Sequence, residues 1–204
     1  MKLYYSTTSP FVRKVQVAAA ELGLRSQLEI VPLRPSPTAP SAELSAHNPL
    51  SKIPALVLDD GECFYDSRVI CEYLETQRPA DAAALVPASG LERFRVLRLQ
   101  ALADGMLDAG ILIFYERAQR PKELHWEDWL AGQSTKVSQG LDALEAQCAH
   151  FPAAVDLGQI AAGVAVGWLA FRAPVGDPFA GRPRLAAWFA AFDARPSMIE
   201  TRPR

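Results

Sequence analysis

Apolar and polar positions recur along this chain with two different periods, and the change of period falls near residue 78. At the start, Leu3-Tyr4-Tyr5 is a short apolar run that predicts a strand over residues 2–5. Phe11, Val15, Ala18 and Leu22 then recur at spacings of four, three and four, the stripe of a helix from Pro10 to Leu22, with Gly23 placed to end it. Leu28 to Val31 reads as a second strand closed by Pro32. The proline-rich stretch 32–48 reads as a loop with at most a short helical turn. Two further β runs, Ile53–Leu58 and Glu62–Tyr65, flank Asp59-Asp60-Gly61, a hairpin signal because Asp-Gly supplies the positive φ that a tight turn needs. Ser67 to Gln77 is helical, with Val69, Ile70, Tyr73 and Leu74 on one side. The order β-α-β, loop, β-β-α predicts a four-stranded mixed sheet with helices packed on it, an α/β N-terminal domain over residues 1–77.

After residue 77 the period becomes helical throughout. Arg78 to Gly90 is rich in proline and alanine and reads as a linker. Leu99, Leu102, Met106, Ala109 and Ile113 step by three and four, and so do Leu141, Leu144 and Cys148 after Leu130 and Val137. Residues 157–171 are apolar all round, which predicts a helix at the centre of a bundle. A last helix over about Arg184 to Ala194 carries Leu185, Trp188, Phe189 and Phe192. The expectation for residues 91–204 is an all-α domain.

Composition narrows the class. Half of the 204 residues are hydrophobic and the net charge is −2. Residues 1–80 carry 8 Lys/Arg and 9 Asp/Glu, and the remainder 13 and 14, so no basic stripe is built for nucleic acid. No signal peptide opens the sequence. The longest apolar run, Ile160 to Phe171, is 12 residues, short of the roughly 20 that span a bilayer. Gly163 and Gly167 inside it read as a close helix contact. Cys63, Cys71 and Cys148 lack CxxC spacing and His47, His125 and His150 are scattered. That pattern fits a reduced, cytoplasmic chain without a metal site.

Three short motifs carry candidate chemistry. Ser9 directly precedes Pro10, so its side chain can cap the helix; the same hydroxyl stands beside free N–H groups at the positive end of a dipole, where an anion binds. Were that anion a thiolate, lowering its pKa by two units requires about 2.7 kcal/mol. A charged hydrogen bond supplies roughly 1.5–3 kcal/mol and the helix end about 0.3–2 kcal/mol, so no histidine base is needed. Thr8 is a rival donor. Pro54 cannot donate to a ladder and belongs at a strand start; a cis bond there would turn the Ile53 N–H and C=O outward to a peptide-like ligand. Asp66 and Ser67 can cap the next helix, and can also meet an ammonium and a carboxylate, the two ends of an α-amino acid.

SPFVRK (Ser9 to Lys14), NPLSKIPAL (Asn48 to Leu56) and Asp66-Ser67, in this order, resemble the glutathione S-transferase superfamily over the whole chain. VDLGQIAAGVAVGWL (Val155 to Leu169) resembles its buried helix, with Asp156 as cap and Gln159 as partner where the family usually has Ser/Thr and Asp. The resemblance implies a thioredoxin-like domain over 1–77, a linker over 78–90 and a helical domain over 91–204. It implies glutathione as co-substrate, Ser9 as the catalytic thiolate stabiliser, and a glutathione-binding set of Lys52, Ile53, Pro54, Asp66 and Ser67. Phe11, Met106 and Tyr115 are the expected hydrophobic-substrate pocket, with core packing the plainer reading of Met106. A homodimer that serves in detoxification is implied as well. Because Ser9 stands where thiol-exchange members have cysteine, conjugation, isomerisation or peroxide reduction is expected, not disulfide exchange; the alternative is a glutathione-binding or regulatory protein without transferase activity. Arg13 is expected at the surface or in an interdomain salt bridge, and Asp104 and Asp108 on one helix face toward the cleft or a partner subunit.

Overall fold

In the computed structural model, which describes residues 1–203, the chain divides into two compact units, residues 1–87 with 199–203, and residues 88–198. The first contains β1 (Lys2–Tyr5), α1 (Pro10–Glu21), β2 (Glu29–Pro32), α2 (Ala42–His47), β3 (Ala55–Val57), β4 (Cys63–Phe64) and α3 (Ser67–Thr76). Its sheet has the order β2-β1-β3-β4, with β1 parallel to β2 and the other pairs antiparallel. The mixed sheet expected from the pattern is therefore present. The period of two sorts the side chains: Leu3 lies opposite Leu56 on one face, both fully buried, while Tyr4, Ala55 and Val57 point the other way and pack on Leu44 of α2.

Helix α2 was expected as no more than a turn in a loop. It is a six-residue helix because Ser41 caps it, accepting from the Leu44 N–H at 3.2 Å, and because the Tyr4 hydroxyl donates to Glu43 at 3.1 Å. Val69, expected on the inner side of α3, is exposed; Ile70 and Leu74 bury that helix. At the end of α1, Gly23 takes φ of +72°, the left-handed value that lets the Leu24 N–H reach back to Ala19 at 2.7 Å.

The second unit is helical: α4 (Gly90–Gln119), α5 (Glu127–Gln147), α6 (Leu157–Arg172), α7 (Pro183–Asp193) and the start of α8 (Pro196–Glu200). As its all-round apolar sequence predicts, α6 is the buried centre, in contact with α4 and α7. Asp156 caps it, accepting from the Gln159 N–H at 2.8 Å. The reciprocal half of the capping box is missing, since the Gln159 amide turns to the carbonyls of Pro152 and Ala154. No helix among the described residues is long and apolar enough to cross a membrane.

Residues 199–203 were expected with the helical domain and instead belong to the first unit. Two contacts tie them there: Arg13 Nε donates to the Thr201 hydroxyl at 3.4 Å, and Arg25 pairs with Glu200. Of the two expected positions of Arg13, a surface position or an interdomain salt bridge, the first is overturned, for only 6% of its area is exposed.

Candidate functional site

Strand register gathers the three motifs of the first unit at one end of its sheet. Tyr4 lies opposite Ala55 and Leu56 opposite Phe64, so continuing the ladder brings Ile53 level with Ser6 and Asp66 level with Pro54. That end is where the chain leaves β1 for α1, enters β3, and leaves β4 for α3. The positive ends of two helices of 12 and 10 residues therefore start beside the loop that carries Ile53.

At the first helix, Ser9 has the extended backbone of an N-cap and its oxygen accepts from the Val12 N–H at 3.4 Å. A hydroxyl has one donor besides its acceptor lone pairs, so this bond leaves the Ser9 proton available. The Phe11 N–H in the same turn has no partner among the described residues. Thr8 does have an interaction of its own.

The Ile53–Pro54 peptide is cis, and so is Tyr65–Asp66. Neither the N–H nor the C=O of Ile53 is hydrogen-bonded among the described residues. The loop leading to it is held by a residue the sequence reading passed over. Asn48 is 1% exposed; its Nδ2 donates to the Lys52 carbonyl at 2.8 Å and its Oδ1 accepts from the Leu50 N–H at 3.0 Å. Its own N–H reaches Leu44 and its carbonyl accepts from Ser51. Ser51, at φ +50°, is in the left-handed region, which costs a non-glycine residue about 1–2 kcal/mol. Its hydroxyl bridges the Ser41 N–H and C=O, which offsets that cost. Asn48 followed by Pro49 is the signal that was present, since asparagine before proline marks a side chain bonding its own turn. Lys52 itself is exposed.

At the second helix, Asp66 caps α3 through one oxygen, accepting from the Arg68 N–H at 2.9 Å, and its carboxylate is exposed. Ser67 is 2% exposed, yet its hydroxyl and its N–H have no partner among the described residues. The Cys63 thiol is pushed up by burial and by Glu62, and the Cys148 thiol of the second unit by burial and by Glu145, so neither offers a thiolate near neutral pH.

The expected pocket residues fall into different surroundings. Phe11 is partly buried, with Lys14 Nζ 5.8 Å from its ring centroid. In the second unit Tyr115 is partly buried against Phe114, with ring centroids 5.7 Å apart. Met106 leaves the pocket set: it is 2% exposed and its side chain fills the space over Gly140 of α5, where a Cβ would come within 2.4 Å of it. Asp104 is buried and Asp108 exposed, so the two do not share one environment.

Two family profiles match this chain: "Glutathione S-transferase, N-terminal domain" over residues 8–77 and "Glutathione S-transferase, C-terminal domain" over residues 127–191. The uncharacterized GST-like protein YibF of Escherichia coli (strain K12) is 36% identical over 206 residues, which cover 100% of this chain and 98% of that protein. A glutathione transferase family member from Pseudomonas fluorescens Pf-5, crystallised with bound glutathione, superposes with a TM-score of 0.93 at 43% identity, covering 100% of this chain and 98% of that one. A structure from the same organism with bound S-(propanoic acid)-glutathione gives 0.91 at 41% identity over 100% of both chains.

Proposed function

The chain belongs to the glutathione S-transferase family, and on that premise we propose that it binds glutathione at the end of the first unit's sheet and transfers it to a small hydrophobic electrophile. Ser9 donates its free proton to the glutathione sulfur and favours the thiolate. The open N–H and C=O of Ile53, at the start of the strand after Pro54, pair with the cysteinyl backbone. The Ser67 hydroxyl and N–H take the γ-glutamyl carboxylate, Asp66 takes the ammonium, and Lys52 reaches the glycyl carboxylate. The thiol proton leaves to solvent, the thiolate forms a C–S bond, and the electrophile's electron pair departs with a leaving group or collects a proton.

Phe11 contributes apolar surface to the electrophile. The enzyme works as a cytoplasmic homodimer, where glutathione is reduced, and its role is detoxification. The observation that carries the reading is the open N–H and C=O of Ile53 beside the cis Ile53–Pro54 peptide, in the same unit as the unclaimed proton of Ser9. The glutathione held by the Pseudomonas relative supports it from outside.

Retention on immobilised glutathione, followed by conjugation of 1-chloro-2,4-dinitrobenzene, tests it. Ser9→Ala is expected to keep most glutathione affinity and lose about tenfold to a hundredfold in rate at neutral pH, part of which returns at alkaline pH. Asp66→Ala is expected to weaken retention with a smaller effect on the saturated rate. A Ser9→Ala protein as fast as wild type, beside a slow Thr8→Ala protein, would move the donor to Thr8. Retention without turnover would support the regulatory alternative, and absence of retention would end the reading.

A further inference from the structure

Arg172, in the last turn of α6, has no counter-charge. Its guanidinium carbon lies 4.7 Å from the ring centroid of Phe114 on α4 and 4.9 Å from that of Phe171. No hydrogen bond or ion pair joins it to a described residue, and its Nε is buried without a partner. Arg182 in the same unit shows the ordinary behaviour, spending its donors on Asp142, Ser138, Pro178 and Ala180. The carbonyl end of α6 favours a cation there, but it leaves the fork of donors unused.

The rings attract the guanidinium through its faces. What remains is the plane in which its five N–H groups point. Of the three nitrogens only Nε is closed off, so the edge between the terminal Nη atoms is reachable. We infer that Arg172 anchors a binding site on the helical unit for a small carboxylate with an apolar body. A carboxylate matches the fork with two parallel bonds. Beside it, the Phe171 ring, 43% exposed, offers a surface for the apolar part. A phosphate has the charge but would shed more hydration against these rings, which disfavours it. The argument for this site does not depend on the glutathione reading, although Phe114 also touches Tyr115, a residue expected in the hydrophobic-substrate pocket, with ring centroids 5.7 Å apart.

Titration calorimetry of the full chain with benzoate, and with benzamide as its neutral match, tests the site. Benzoate is expected to bind at least about tenfold more tightly than benzamide, the scale of one charged hydrogen bond. R172Q should bring benzoate down to the benzamide level, R172K should fall between because it keeps the charge and loses the fork, and retention on glutathione should be the same in all three. Equal affinity of wild type for the two probes, or no binding of benzoate, overturns the proposal. So does a folded R172Q that keeps its benzoate affinity; if R172Q does not fold by circular dichroism, an unchanged affinity in R172K has the same force. Inorganic phosphate that displaces benzoate at lower concentration overturns the carboxylate assignment.

Discussion

The Ser9 hydroxyl caps with its oxygen and keeps its proton, so capping and the proposed contact to sulfur draw on different atoms of one group and can be separated by mutation. Glycine at an N-cap costs only a few tenths of a kcal/mol, whereas alanine costs about 1 kcal/mol. For a chain of this size that larger loss corresponds to about 2–4 °C in Tm. Ser9→Gly is therefore expected to melt within about 1 °C of wild type and still show the full loss of conjugation rate. Scanning calorimetry beside the rate assay checks it, and a Ser9→Gly protein with wild-type turnover would confine Ser9 to capping. What could be read in the sequence at this scale follows chain distance. Ser9, Asp66 and Ser67 announce helix starts with their own neighbours. Asn48 bonds backbone groups within four residues, so its environment was open to reading although its burial was not. Arg13 was out of reach: its partner Thr201 lies 188 residues away.

Among elements, the hairpin and the central helix were legible because Asp-Gly and an all-round apolar run each allow few alternatives. Helix α2 was not, for six residues after a run of prolines have no period to detect. The contact between α6 and α7 is set by size. A Cβ on Gly163 would stand 2.5 Å from Phe192 Cδ1, so Gly163→Ala is expected to cost about 1–3 kcal/mol despite alanine's better helix propensity. Phe192→Leu in the same chain should recover part of the Tm, and an additive double mutant would deny the contact. The start of α7 is capped from a distance by Glu145 of α5, which accepts from the Leu185 N–H at 2.7 Å and from Arg184 Nε at 3.0 Å. Burial alone would raise this carboxyl, but the bonds from Leu185 and Arg184 outweigh it and hold the pKa below the ordinary 4.5. A depressed carboxyl stabilises above its unfolded value and loses that contribution as pH falls through the folded one. Glu145→Gln should thus melt below wild type at neutral pH, with the gap closing once the pH drops under 4.5. A gap independent of pH would remove the carboxylate from this role.

At the scale of the molecule, the period changes near residue 78, and the two compact units divide between residues 87 and 88. The side chains left exposed bear on assembly. Leu91 and Phe94 on α4 are 64% and 66% exposed, and Val69 on α3 is 45% exposed, apolar area that a second copy would cover. Sedimentation at micromolar concentration is expected to give a dimer, and Phe94→Glu a monomer; a monomeric wild type would refute the homodimer. The return of residues 199–203 escaped the pattern, because a short stretch pinned by Arg13 and Arg25 carries no period of its own. That return reverses the order in which the units can be finished. Residues 1–87 leave the ribosome first, yet the strip that bonds Arg13 is translated after the whole of residues 88–198. At ordinary rates of synthesis the interval is roughly 6–20 s. At its end the helical unit has its full sequence, while the Arg13 Nε of the first unit still lacks the Thr201 hydroxyl that it bonds in the finished fold.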